Sequence, residues 1–295
     1  MKDTILREYK INTVVKEYNK FLGVFYIDYE KYIFLKVDRP KKDIEYIYNV
    51  TNGSIYHQII KNVNGSIFTE HNKNTFVLLK LNHPENDEIL LIDILKVQIS
   101  SLENNKDLDR TSWSALWEVK NDYLEYQISE LGKNHKSAIK SFSYYIGLSE
   151  NACFYFNNVP KEGNLVFSQK RVFFPNTALN FLNPLNLVID FRVRDLSEYI
   201  KNVFWKKGDA IGLIKRLTYL NILSRNEYNL LYARLLYPSN YFDDLMDVLE
   251  KKKEDDCLLI YIERAEEYRL FLKDCYNLLR NITPLLEIDW IIKEH

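Results

Sequence analysis

The chain has 295 residues, 46% of them apolar and 27% charged, and its 40 basic against 41 acidic side chains leave it close to neutral. That is enough apolar material for one large core or two lobes, and the charge balance excludes a general electrostatic attraction to nucleic acid or anionic membranes. Eight Gly and seven Pro against 22 Tyr and 16 Phe also exclude a disordered or linker-rich chain.

The N-terminal stretch MKDTILREYKINTVV lacks the unbroken apolar core of a signal peptide, and no apolar run approaches the roughly 20 residues of a membrane span. A cytosolic origin is therefore expected. The first hundred residues read mainly as strands. Phe21 to Ile27 and Lys31 to Val37 carry aromatic and β-branched residues around a polar turn. Lys41 to Asn52 has the pattern of one helix. Gln58 to Val63 and Ser66 to Thr69 flank Asn64-Gly65, which predicts a two-residue type I′ hairpin turn, and Thr75 to Leu81 is a further strand. Residues Ile89 to Leu102 form the expected joint, so that 1–102 is one lobe and 103–295 the other.

From Asp107 the pattern becomes helical: Ser114 to Leu131, Lys136 to Ile146, Asp195 to Phe204, Asp209 to Leu223, Arg225 to Leu236, Tyr241 to Lys252 and Cys257 to Leu279. Trp113 and Trp117, four apart, read as core residues on one side of a helix. Asp195 and Glu198, like Ser224 and Glu227, have the spacing of a capping box. The run Lys251 to Asp256 reads as a solvated helix end. Cys153, Cys257 and Cys275 show neither CxxC nor Cys/His ligand spacing, so reduced thiols are expected. His57, His71, His83 and His135 are scattered without a partner at ligand spacing.

Between the helices lies LVFSQKRVFFPNTALNFLNPLNLVIDFRVRDLSEYIK, Leu165 to Lys201. An apolar strand, Leu165 to Phe167, runs into a polar loop, and a second strand, Leu187 to Ile189, ends in Asp190. In phosphoryl transfer a loop Asp accepts the substrate proton, a downstream Asn holds one metal ion and a strand-end Asp holds the other. Asp190 and Asn176 fit the last two roles. The loop, however, reads Gln169-Lys170-Arg171, and if Arg171 takes the catalytic-Asp position then Asn176 falls five residues later, the spacing of HRDxxxxN. A guanidinium does not accept a proton at neutral pH, and an unpaired buried charge is costly, so Lys170, Arg171, Arg192 or Arg194 is expected to pair with Asp190. Lys36, at a strand end, is placed like the lysine that meets the α and β phosphates, with Glu45 as its carboxylate partner. The only glycine before it is Gly23, so a glycine-rich phosphate loop is missing.

This order of parts resembles the aminoglycoside phosphotransferase and choline kinase fold, a relative of the protein kinases, and within it the spore coat proteins of the CotS and YutH type. The resemblance rests on HQIIKNVNGSIFT with FVLLKL, SALWEVKNDYLEYQI, SQKRV through VIDFRVRDLSEYIK, and YARLLYPSNYFDDL. Asp190, Arg194, Asp195 and Glu198 match the relatives' strand-end acid, Arg-Asp pair and acidic helix start, whereas Gln169 stands where the relatives carry His. The resemblance implies an α+β bilobal fold with a small β-rich lobe and a larger helical one. The missing loop acid and glycine-rich loop imply a catalytically inactive kinase-like protein that needs no cofactor and acts by binding protein partners, and the resemblance implies that it is a component of a spore coat. The alternative is an active ATP-dependent small-molecule phosphotransferase with Mg²⁺ on Asp190 and Asn176. Arg192, Arg194, Trp205, Tyr237 and Phe242, rich in types that dominate interfaces, are expected either as a protein-contact surface or as packing of the RDLSEYIK helix against YARLLYPSNYF inside the lobe, with the arginines as internal ion-pair partners.

Overall fold

The computed structural model describes residues 2–11, 16–19, 23–27, 29–84, 87–99, 105–172 and 176–293. In chain order the elements are α1 (Lys2–Glu8), β1 (Lys16–Asn19), β2 (Val24–Ile27), β3 (Glu30–Lys36), α2 (Lys41–Thr51), β4 (Gln58–Ile60), β5 (Thr69–His71), β6 (Asn74–Lys80), α3 (Leu91–Val97), α4 (Trp113–Leu131), α5 (Lys136–Asn157), β7 (Leu165–Gln169), α6 (Ala178–Phe181), β8 (Leu187–Phe191), α7 (Val193–Trp205), α8 (Ala210–Leu220), α9 (Arg225–Leu236), α10 (Ser239–Leu249), α11 (Leu259–Glu263), α12 (Ala265–Leu279) and α13 (Asp289–Ile292). They form two compact units. One comprises Met1–Val97, Asn105–Leu108 and Gln169–Val188, and the other Gln98–Asn104, Asp109–Ser168 and Ile189–His295. The sequence reading gave all of 169–188 to the helical lobe. Part of the joint expected at Ile89 to Leu102 is helix α3, while Leu102 and, in the first strand, Phe21 lie outside the described residues.

The first unit is built on an antiparallel sheet in the order β1-β2-β3-β6-β4, with β5 added against β6. Period-two alternation along β3 decides what each side chain meets. Phe34 packs with Phe25, Ile27, Leu78 and, from α1, Ile5. Leu35 and Val37 pack on the opposite face with Val77, Leu79, Ile59 and, from α2, Ile44 and Tyr48.

The type I′ turn lies elsewhere than expected. Asn72 and Lys73 both have positive φ (47° and 60°) and join β5 to β6 in the register His71 to Asn74. At Asn64-Gly65 only the glycine is left-handed. There the Asn62 side chain accepts from the amides of Asn64 and Ser66, which folds a loop, and β4 and β5 each pair with β6.

In the helical unit α4 and α5 pack along each other, and α5 continues past Gly147 to Asn157. A lone glycine costs a helix about 1 kcal/mol. The burial of Leu148, Ala152, Tyr155 and Phe156 outweighs it. The free amides at the start of α5 are satisfied from far away in sequence: Asp255 accepts from Ser137 N (2.7 Å) and Ala138 N (3.2 Å). The run Lys251 to Asp256 thus does more than end a helix. At Ser224 the expected capping box is present, with Glu227 returning to the Ser224 amide. The long helix expected from Cys257 breaks at Arg264, whose guanidinium donates to the last carbonyls of α7, Phe204 O (2.9 Å) and Trp205 O (3.3 Å). The three cysteines are free, and among the described residues no helix is long and apolar enough to cross a membrane.

Candidate functional site

Strand β8, Leu187–Phe191, is buried at every position, so Asp190 leaves it with no access to water. A carboxylate in that place must find donors inside the protein. Its Oδ1 accepts from the Trp113 indole N–H (2.8 Å) and from its neighbour's amide, Phe191 N (2.8 Å), and Oδ2 accepts from Arg194 Nη1 (2.5 Å). Burial pushes the Asp190 carboxyl above its ordinary range, against the pull of Arg194 and then Arg234. On Arg194 burial acts downward and Asp190 overcomes it, so the guanidinium stays above its usual value.

One turn further along α7 lies a second cluster that sequence reasoning missed. Glu198 Oε1 accepts from Lys201 Nζ (3.0 Å) and Arg234 Nε (2.9 Å), and Oε2 accepts from Ser239 Oγ (2.6 Å). Lys201 is fully buried and also donates to Tyr237 O and Ser239 Oγ. Burial alone would raise Glu198, but Lys201 and Arg234 more than reverse it and hold the carboxyl at about 2. Burial pushes the Lys201 amine down to about 8 despite Glu198. The Arg234 guanidinium stacks 5.1 Å from the Trp113 ring and 5.5 Å from Trp117. Trp113 and Trp117 are themselves stacked and buried, as expected of core residues. The signal for Arg234 was its place in YARLLYPSNYFDDL. Nothing local marks Lys201 as buried.

Asp195 is not a cap. The helix begins two residues earlier, at Val193, because Val193 is itself buried, and Asp195 lies inside the first turn, 1% exposed. Nor do the expected contact residues form an open surface. Trp205, Tyr237 and Phe242 are buried, with Tyr237 stacked on Trp117 at 4.4 Å and Trp205 against Tyr261 and Tyr268. Arg194 serves Asp190, and Arg192 donates to Ile222 O and lies 3.9 Å from Glu227. These aromatics and arginines pack the interior of the helical unit.

In the first unit the loop after β7 is anchored to the unit's own backbone. Gln169, buried at the strand end, donates to Phe181 O (2.6 Å), and Lys170 N donates to Asn186 O. Lys170 and Arg171 are exposed. Asn176 is 2% exposed, with Ile89 N donating to its carbonyl and its Nδ2 donating to Ile89 O (3.3 Å). Its Oδ1 is buried without a donor among the described residues. The segment that follows lies on the face of the sheet that α2 also packs on. His57 N donates to Leu182 O, Ala178 N to Asp87 O, and Leu185 joins the core under α2. A cavity of about 120 Å³ remains between Val24, Ile33, Leu35, His57 and Leu79 of the sheet and Leu179, Asn180 and Asn183 of the segment. His57, 1% exposed, is pushed by burial down to about 4 and stays neutral.

Lys36 and Glu45 are not brought together. Lys36, at the end of β3 and paired in register with Phe76, lines a cavity of about 280 Å³ with Val37, Ile44, Lys170 and Leu185. Glu45 sits on the exposed side of α2, beside Tyr48, Asn49 and Lys61. Among the described residues no group of three or more His, Cys, Asp or Glu could hold a metal ion.

A family model described as spore coat putative kinase YutH matches residues 2–275. The chain belongs to that family. It is 25% identical over 206 residues to the endospore coat-associated protein YutH of Bacillus subtilis (strain 168), a stretch covering 61% of this chain and 60% of that protein. The chain therefore aligns with less than two thirds of this curated relative. Among solved structures it is similar to an aminoglycoside phosphotransferase of Alicyclobacillus acidocaldarius (TM-score 0.66, 9% identity, 95% of this chain and 96% of the other). It is also similar to the spectinomycin phosphotransferase APH(9)-Ia solved with ADP and spectinomycin (TM-score 0.56, 11% identity, 93% and 96%). At such identities the likeness establishes the fold. This YutH family member has the aminoglycoside phosphotransferase-like α+β architecture that the resemblance implied.

Proposed function

We propose that this YutH family member is a catalytically inactive kinase-like protein that works by binding, as a component of an endospore coat assembly. The observation that carries the reading is the state of Asp190. Both its oxygens already accept hydrogen bonds, one of them from a guanidinium. A divalent cation at the same oxygen would have to displace Arg194 and stand beside its charge, so the residues present do not fit Mg·ATP. Three other features agree with this. The loop offers Arg171 in the register that sets Asn176 five residues on, Lys36 and Glu45 do not meet, and the 178–185 segment packs on the α2 face of the sheet. Losing a general base alone lowers rate by about 10²- to 10⁴-fold. The assembly role is supported by the family and by the coat-associated B. subtilis relative.

The alternative, a phosphotransferase holding Mg²⁺ on Asp190 and Asn176, draws on one observation, the buried Asn176 Oδ1 without a donor. A thermal-shift series with Mg·ATP, run beside a phosphotransfer assay, separates the two. A ligand at about 100 times its Kd stabilises by about 2.7 kcal/mol. The expected outcome is an unchanged melting temperature at millimolar nucleotide and turnover at background. A clear shift, with turnover lost in Asp190→Ala, would overturn the proposal.

A further inference from the structure

Helix α4 has two apolar faces where a surface helix ordinarily has one. Trp113, Trp117 and Leu124 point inward with Asn121. On the far side Leu116, Val119, Tyr123 and Tyr126 are 46, 70, 43 and 60% exposed. Their spacing of three, four and three residues places them within an arc of about 80° at 100° per residue, a continuous stripe over three turns of helix. Scattered exposed apolar residues need no explanation, but a stripe in heptad register is the form of a helix-pairing seam.

The charge beside the stripe selects the occupant. Glu118, Asp122 and Glu125 are exposed along one flank, and among the described residues they form no ion pair. The other flank carries Lys120, which lies over the Tyr123 ring at 5.7 Å, and Gln127. With acids outnumbering the single lysine, a second copy of the helix would bring an excess of like charge to the seam. A helix whose apolar edge is bordered by Lys or Arg would bring opposite charge.

The geometry points to α4 as a docking seam for a basic amphipathic helix of another protein, with Leu116, Val119, Tyr123 and Tyr126 in contact and Glu118, Asp122 and Glu125 setting the choice of partner. This rests on the reading of the chain as an assembly component and names the partner's chemistry.

The test uses the full chain and two labelled synthetic peptides of about three heptads, both with Leu at the seam, one flanked by Lys and the other by Glu. Fluorescence anisotropy at low salt should show the Lys peptide binding about tenfold or more tightly than the Glu peptide, with the difference shrinking as salt rises. Val119→Ser with Tyr126→Ser should abolish binding, and Glu118→Lys, Asp122→Lys and Glu125→Lys together should reverse the preference. All these side chains are exposed; if circular dichroism shows the serine variant unfolded, the charge-reversal variant decides. Equal binding of both peptides, no binding of either, or an unreversed preference would overturn the proposal. So would a concentration-dependent dimer that the serine variant loses, since that would make a second copy the occupant. Phosphotransfer activity would sink the inactive reading and leave these outcomes as they are.

Discussion

At the scale of single residues the decisive fact is that both oxygens of Asp190 are engaged, by Trp113 and Phe191 on one side and Arg194 on the other. The strand-end acid and an arginine to pair with it were legible in VIDFRVRD, because a charge at the end of an all-apolar strand needs a counter-charge. Which arginine it was could not be read, and Lys201 was hidden, since burial of a Lys in a helix leaves no local mark. Removing one member of a buried pair leaves a bare charge, which costs about 3–5 kcal/mol. Arg194→Ala should therefore lower the unfolding free energy from urea titration by about that amount. The Asp190→Asn, Arg194→Gln double variant should lose less than the sum of the single changes, the mark of direct coupling. Lys36→Ala, at an exposed strand end, should stay within about 0.5 kcal/mol of wild type. A large loss there would place Lys36 in a contact the structure does not show.

At the scale of elements, most helices were legible from periodicity, Arg225–Leu236 to the residue, while boundaries failed where a tertiary contact outweighed the local signal. Gly147 did not end α5, because the apolar residues beyond it are buried, and the Asp195-x-x-Glu198 spacing looked like a cap but lies inside a helix that starts at Val193. The true long-range cap, Asp255, lies more than a hundred residues from the helix it caps, beyond the reach of any local pattern. Asp255→Ala should cost about 1 kcal/mol, in the usual range for losing a cap, and α5 amides near Ser137 should exchange faster. The misplaced hairpin turn gives a prediction of the opposite sign. Lys73 holds φ at 60° in a type I′ turn, a conformation that disfavours any residue with a Cβ. Lys73→Gly should raise stability by up to about 1 kcal/mol, read as a higher melting temperature, and a loss would mean that the Lys73 side chain makes a contact of its own.

For the whole molecule, the two units carry buried titratable groups that respond to acid in different pH windows. His57, in the first unit, is displaced by burial from 6.5 to about 4. Between those values the unfolded chain binds the proton and the folded unit does not, so stability rises with pH and the contribution is lost as pH falls from 6.5 toward 4. Glu198, in the second unit, is held by Lys201 and Arg234 at about 2 against 4.5. Its contribution is complete above 4.5 and is lost as pH falls toward 2. Each displacement corresponds to about 3 kcal/mol when fully expressed. All four tryptophans, Trp113, Trp117, Trp205 and Trp290, lie in the second unit, so their emission reports that unit alone. On lowering the pH from 6.5 to 4.5, protection from hydrogen exchange, corrected for the intrinsic rate at each pH, should fall at β4 and β6, while the urea midpoint read by tryptophan emission should not fall until the pH passes below 4.5. His57→Phe should flatten the first response without touching the second, and Glu198→Gln should do the reverse. If instead one variant flattens both, the two units unfold as a single cooperative body and the separation of windows fails.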